Sequence, residues 1–175
     1  RAPFQVAWHD MRLAGDELVR HRAGFSYSQL SQRYVDESNA SFVVPPSIIG
    51  DEKLEGVWRA HVEGAQQTYV SLVEQLMQRY GWVADRVHRR KMAREAARAV
   101  LPNATETKIV VTGNARAWRT LLELRASEGA EMEIRRLAIM VLRVMQREAI
   151  GFFSDFVIYV ADDRREAAKV EYHKV

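Results

Sequence analysis

From Asp51 to Tyr80, Leu54, Val57, Trp58, Val62, Ala65, Tyr69, Val73 and Leu76 recur at spacings of three and four residues, and Gly81 follows as a stop. This periodicity predicts one long helix, which the rest of the chain must pack around. A second helix is expected from about Ala84 to Val100, ending before Leu101-Pro102 because proline biases its predecessor away from helical geometry. Asn114 is placed to cap a third helix running to about Ser127, and Ala130 to Ala149 reads as a fourth, with Met132, Leu137, Met140, Val141 and Met145 facing inward. Upstream, Asp10 to Arg22 reads as helical, with Met11, Leu18 and Val19 on one side and a stop at Ala23-Gly24. Extended segments are expected at Gln29–Val35, at Ser41–Val44 before Pro45-Pro46, and at Lys108–Thr112. Phe156–Val160 and Lys169–Tyr172 form a candidate hairpin around Asp162-Asp163. The sum is an α+β fold with helices packed on a small mixed or antiparallel sheet. At 175 residues and 47% hydrophobic composition, one domain over residues 1–175 is expected.

The 26 Lys and Arg against 23 Asp and Glu leave a formal charge of +3, which suits an anionic ligand and would equally suit a nucleic acid. There is no cysteine, so disulfides, thiolate metal sites and a cysteine nucleophile are excluded for this chain. His9, His21, His61, His88 and His173 share no spacing with Asp or Glu that would make a metal site, and no Gly-rich phosphate loop is present, so no metal is expected. Neither a long uninterrupted apolar run nor a signal-peptide pattern appears, which sets the expectation of a cytoplasmic protein without a membrane partner. The sequence opens at Arg1 and enters an ordered-looking segment almost at once, so part of an N-terminal region is expected to be missing.

Three basic features could carry chemistry. Arg20 and Arg22 stand at a predicted helix end, where guanidinium groups can meet phosphate oxygens bidentately or simply complement the helix dipole. Within Arg89-Arg90-Lys91, Arg94 and Arg98, the last three named positions Lys91, Arg94 and Arg98 fall on one helix face, a cationic stripe that could equally be solvated. Arg125 shares an arc with Trp118, Leu121 and Leu122, inside an apolar stripe. An unpaired buried guanidinium is costly, so Arg125 must meet an anion or a carboxylate, or snorkel to water. Tyr27 and Tyr34 could stack on a ring, or sit at a strand's rim.

The run Glu17-Leu18-Val19-Arg20-His21-Arg22, followed by Ser26-Tyr27-Ser28-Gln29-Leu30-Ser31-Gln32-Arg33-Tyr34, resembles the flavin-dependent thymidylate synthases, enzymes that methylate a uridylate at C5. Two further stretches share the resemblance: Ala96 to Pro102, and Asn114-Ala115-Arg116 through Arg125-Ala126-Ser127-Glu128. The resemblance implies that Arg20, His21 and Arg22, with Asn114 and Arg116, contact FAD. It implies that Arg12, Glu17, Gln29, Ser31, Arg33 and Arg98 contact the nucleotide, and that Arg125 lies against the uracil and favours its ionised form. NADPH and methylenetetrahydrofolate are the implied cosubstrates, and a homotetramer with active sites shared between subunits is the implied assembly. Conventional thymidylate synthases raise electron density at C5 by adding a cysteine to the ring. A chain without cysteine needs another route, and a cation at the ring oxygens together with a reduced flavin supplies one.

This sequence also departs from the family pattern. Ala23-Gly24-Phe25 replaces a shorter spacer that often holds a histidine, making Arg22 to Ser31 one residue longer, and Thr120 and Gly129 stand where many relatives have histidines. The longer loop suggests a sugar pocket that admits a ribose 2′-hydroxyl, and so UMP as well as dUMP. Two other readings remain at this stage: a basic helical protein that binds nucleic acid through its arginine clusters, and a flavin-binding paralogue without turnover.

Overall fold

The computed structural model describes residues 4–11, 17–31 and 33–173. Its order is β1 (Phe4–Met11), β2 (Phe25–Gln29), α1 (Glu52–Arg79), α2 (Arg86–Ala97), β3 (Thr107–Gly113), α3 (Ala115–Arg125), α4 (Met132–Glu148), α5 (Ile150–Phe153), β4 (Phe156–Val160) and β5 (Glu166–Val170). A three-stranded sheet runs β1-β3-β2, and β4 pairs antiparallel with β5. The class is therefore α+β, as the sequence pattern implied. The described chain divides into two compact units. The first holds residues 4–8, 17–28 and 109–173, and the second residues 9–11, 29–31 and 33–108. No helix among the described residues is long and apolar enough to cross a membrane.

Side-chain caps start the helices where the sequence places them. The Asp51 carboxylate accepts from the amides of Lys53 and Leu54 at 3.0 and 3.1 Å, and Asp85 accepts from Val87 at 2.8 Å. Asn114 accepts from Ala117 at 2.9 Å, and Glu131 accepts from Glu133 at 2.9 Å. Each satisfies amides that the first helical turn leaves without carbonyl partners.

Several expectations are corrected. Asp10 and Met11 lie in β1, so the expected helix does not begin there; Glu17 and Leu18 are helical, Val19 and Arg20 form a turn, and residues 12–16 of that expectation lie outside the described residues. The second extended element is Phe25–Gln29, where Phe25 and Tyr27 alternate with exposed serines; Ser31 to Val35 turns instead, with the Tyr34 and Val35 amides bonded to the Ser31 carbonyl. Helix α1, by contrast, ends where expected: the Tyr80 amide bonds back to Leu76 and Gly81 follows as the stop. Helix α2 ends at Ala97, and Arg98–Val100 tightens into a 3-10 turn ahead of the proline. Strand β5 begins at Glu166, three residues earlier than expected, because Arg164 turns the chain with φ 61° and the Ala161 amide closes on the Arg165 carbonyl at 2.8 Å. On α4, Leu137, Val141 and Met145 are buried as expected, whereas Met140 is exposed. On α1 only Val62 and Tyr69 are buried; Leu54 is 46% and Val57 69% exposed, so the periodicity marks a helix without marking one continuous buried face.

The first unit is knotted by Arg119. Its guanidinium grips both oxygens of Asp155 at 2.6 Å, donates to the Phe152 carbonyl, and lies 4.9 Å from the Phe156 ring centre. The pair is 12% and 14% exposed, and the arginine holds the Asp155 carboxyl below the usual carboxylate range, chiefly through these hydrogen bonds. Because the folded-state pKa is depressed, this contribution is present above the unfolded pKa and disappears as pH falls through the folded value. Asp155→Ala is expected to lower unfolding free energy by about 3 kcal/mol, since the uncompensated cation stays partly buried. Urea titrations at neutral pH and at about pH 3 check this: the wild-type advantage should shrink in acid.

Candidate functional site

In the first unit the turn at Arg20–Phe25 meets the start of α3. Gly24 has φ +79°, and a Cβ there would stand 2.9 Å from the Ala117 Cβ and 3.1 Å from the Asn114 amide nitrogen. The loop can therefore lie directly on the cap of α3 only with glycine at this position. Between them is a cavity of about 550 Å³ lined by Arg20, His21, Arg22, Gly24, Asn114 and Arg116, with Thr120 also on its wall. Three guanidinium groups beside a helix N-terminus suit a diphosphate, since the α3 dipole and the arginines favour anions together. These are the five residues assigned to FAD from the sequence, brought to one cavity, and their chemistry fits the dinucleotide's phosphates.

Arg125 ends the same helix, with its side chain 25% exposed. Its Nη2 pairs with the Glu17 carboxylate at 2.8 Å, and its Nε–H donates to the His21 Nε2 at 2.9 Å. Glu17 also pairs with Arg20 at 3.4 Å, so one carboxylate serves two arginines. Of the partners the helix pattern allowed, an anion, a carboxylate or water, Arg125 meets a carboxylate, that of Glu17. Burial lowers the His21 pKa from its ordinary value, Arg125 lowers it further, and Glu17 opposes both. The Tyr27 hydroxyl fixes the turn by reaching the Leu18 and His21 carbonyls at 2.9 and 2.5 Å, and burial pushes its pKa up to about 12.

The second unit holds the remaining expected nucleotide residues. The Gln29 amide donates to the Thr107 hydroxyl at 3.1 Å, and the Ser31 hydroxyl accepts from the Arg33 amide at 3.4 Å. Arg33 pairs with Glu95 at 3.1 Å, and its buried Nε has no partner among the described residues. A cavity of about 360 Å³ is lined by Arg33, Tyr34, His88, Arg90, Lys91 and Arg94, among others. Lys91 sits 4.8 Å from the Tyr34 ring centre and lowers that hydroxyl's pKa. Arg94 is held by Asp36 at 2.5 Å and by the Tyr34 carbonyl at 2.9 Å, and its Nε also lacks a partner among the described residues. Arg98 is exposed in its 3-10 turn and does not line this cavity. The cationic stripe therefore separates: Lys91 and Arg94 join Arg33, while Arg89 donates to the Val83 and Gly81 carbonyls and closes the turn after α1. Lys91 and Arg94 were visible as a stripe in the sequence, and only the fold of residues 33–36 shows what they face. Arg12 lies outside the described residues.

The family model described as thymidylate synthase complementing protein matches residues 3–149. The chain is similar to proteins named flavin-dependent thymidylate synthase. That of Mycobacterium sp. (strain KMS) is 52% identical over 156 residues, covering 87% of this chain and 61% of the relative. That of Mycobacterium avium (strain 104) is 51% identical over 152 residues, covering 87% and 60%. That of Mycobacterium tuberculosis (strain ATCC 25177 / H37Ra) is 50% identical over 152 residues, again covering 87% and 60%. The chain spans about three-fifths of the length of these curated relatives.

Gly24→Ala should reveal how tightly the loop is seated. A left-handed alanine costs about 1–2 kcal/mol, and the close approach to Ala117 adds to it. The expected result is a lower urea midpoint than wild type, whereas Gly50→Ala, also at positive φ but with open space around its Cβ, should lose less. Equal losses would show that the packing of the loop on α3 contributes nothing.

Proposed function

The chain belongs to the thymidylate synthase complementing protein family, and from that membership we propose that it is a flavin-dependent enzyme methylating a uridine monophosphate at C5. The carbon donor in this reading is methylenetetrahydrofolate, and NADPH is the source of reducing equivalents. The observation that carries it is the convergence of Arg20, His21, Arg22, Asn114 and Arg116 on one cavity, with Arg125 joined to its wall through His21. Reduced FAD supplies the hydride when bound.

The chain's own residues hold and polarise. Arg20, Arg22 and Arg116 bind the cofactor's phosphates, and Asn114 keeps the α3 amides ordered beside them. Arg125 stabilises negative charge that develops on the uracil oxygens as C5 becomes nucleophilic, a role that needs a cation whose position is fixed before reaction. Arg33 takes the nucleotide's phosphate, and Lys91 and Arg94 are added to it because they line the same cavity. Gln29, Ser31, Glu17, Arg12 and Arg98 complete the nucleotide set implied by the resemblance. Of the residues departing from the family pattern, Ala23, Gly24, Phe25 and Thr120 line the cavity given to the cofactor and Gly129 does not; UMP as a substrate beside dUMP rests on the longer Arg22 to Ser31 loop alone. The exposed Leu54 and Val57 on α1 support a contact between copies of the chain, in keeping with the homotetramer.

Arg89, which a nucleic-acid reading would spend on a phosphate, is held by the Val83 and Gly81 carbonyls. The remaining basic side chains of the two clusters include ones that line cavities, Arg20 and Arg22 in one and Arg90, Lys91 and Arg94 in another, which favours a small anionic ligand over a phosphate backbone.

The purified protein is expected to be yellow, or to become so with added FAD, and to convert dUMP or UMP to the methylated nucleotide with methylenetetrahydrofolate under anaerobic reduction. Arg125→Ala should reduce turnover by about 10²–10³-fold. A colourless protein that takes up no FAD would overturn the enzyme reading, and turnover of dUMP alone would remove the UMP extension.

A further inference from the structure

The guanidinium of Arg125 is held along one edge. Nε–H donates to His21 and Nη2 pairs with Glu17, while Nη1 makes no hydrogen bond among the described residues. Arginine stays protonated and can only donate, so the His21 nitrogen that faces it must carry a lone pair. His21 is therefore neutral in this arrangement, with its proton on Nδ1. Protonating the ring would set one N–H against another and place two cations in contact. The same imidazole lines the cationic cavity, so a single ring touches both parts of the candidate site.

We propose that His21 is a positioning residue for Arg125: its neutral ring accepts the Nε–H, fixes the plane of the guanidinium, and leaves the Nη1 edge for the uracil. Glu17 holds the second point of that edge. Two anchors on one planar group determine its orientation, which one ion pair between flexible side chains cannot do. Protonation of His21 removes one anchor, so acid should release Arg125 before it unfolds the protein. The groups around the ring agree in sign. Arg125 faces it from α3, Arg20, Arg22 and Arg116 surround the shared cavity, and the Tyr27 hydroxyl holds the His21 carbonyl from β2. Among the described residues Glu17 is the group that favours the protonated ring, and its carboxylate is already shared by Arg20 and Arg125. Burial and the adjacent guanidinium accordingly keep His21 below its ordinary pKa.

The catalytic consequence rests on Arg125 acting at the uracil, whereas the contact itself does not, and two measurements separate them. In the first, ¹⁵N NMR of the full protein without substrate follows the His21 ring through a pH titration. The expected result is the Nδ1–H tautomer and a pKa below about 6.5 in wild type, moving upward in Arg125→Ala. A ring protonated on the nitrogen facing Arg125, or a pKa indifferent to Arg125→Ala, would overturn the proposal whatever the protein catalyses. In the second, kcat/KM is compared at saturating FAD for His21→Leu and His21→Gln, each in wild-type and Arg125→Ala backgrounds. Expected are a loss of about 30-fold or more for His21→Leu, partial rescue by His21→Gln through its amide oxygen, and less than about threefold further loss from His21→Leu once Arg125 is gone. Equal losses in both backgrounds would show that His21 acts independently of Arg125. No turnover by the wild-type protein, with the NMR result as expected, would count against the functional reading and leave the contact established.

Discussion

The junction of β3 and α3 is the constraint from which the candidate site follows. Gly113 ends the strand under the ring of Phe25, where a Cβ would come within 2.5 Å of two ring carbons and 3.1 Å of the Trp118 indole nitrogen. Only glycine lets β2 cross so close, and Phe25 then meets Trp118 edge to face at 5.0 Å. The next residue, Asn114, turns the chain into α3 and caps it. From that point helical geometry places Arg116 at the cavity, Arg119 on Asp155 and Arg125 beside Glu17 and His21. Burying the Trp118 N–H without a partner is a cost that this close packing tolerates.

The arginines of this chain divide by what they meet, and the division has a physical basis. Arg119 and Arg135 are anchored inside the first unit: one takes both oxygens of Asp155, and the other joins the Glu128 carbonyl and Asp163, tying the β4–β5 turn to α4. Their charges are satisfied and have nothing left for a ligand. Arg22 and Arg116 line a cavity, and among the described residues Arg125 is anchored on one edge only and Arg33 and Arg94 each carry a buried Nε with no acceptor. Incomplete pairing of this kind is what a site for an anion requires, because a fully paired guanidinium would have to break existing bonds to bind it.

Local signals in the sequence were reliable where one residue decides the local geometry. Asn114 was read as a helix cap and is one, because a side-chain oxygen is needed there, and proline follows the segment after α2. Periodicity was reliable for the existence of α1 and poor for its surroundings, since Leu54 and Val57 repeat correctly and remain exposed. The strand β1 was missed where Asp10 and Met11 were read as the start of a helix, because a short segment offers two or three apolar positions that fit either period. At the site, Arg125 was legible as an anomaly in an apolar stripe, and its need for an anion, a carboxylate or water followed from charge alone. That the carboxylate would be Glu17, with His21 on the neighbouring donor, depends on a contact between residues more than a hundred positions apart in sequence.

That contact also bears on how a chain without a thiol could activate a uracil. Covalent addition fixes a nucleophile to the ring and tolerates modest disorder in the surrounding dipoles, since the bond itself supplies the stabilisation. Electrostatic activation has no such margin: a cation that must reorient during the reaction spends its advantage on that reorientation. A single flexible arginine at the edge of a cavity would be a poor substitute for a cysteine. Arg125 is held instead by a helix terminus, a carboxylate and an imidazole, and the Tyr27 hydroxyl in turn secures the turn that carries two of those partners. Under the proposed function, the extended support around one guanidinium is what a site without a thiol would require.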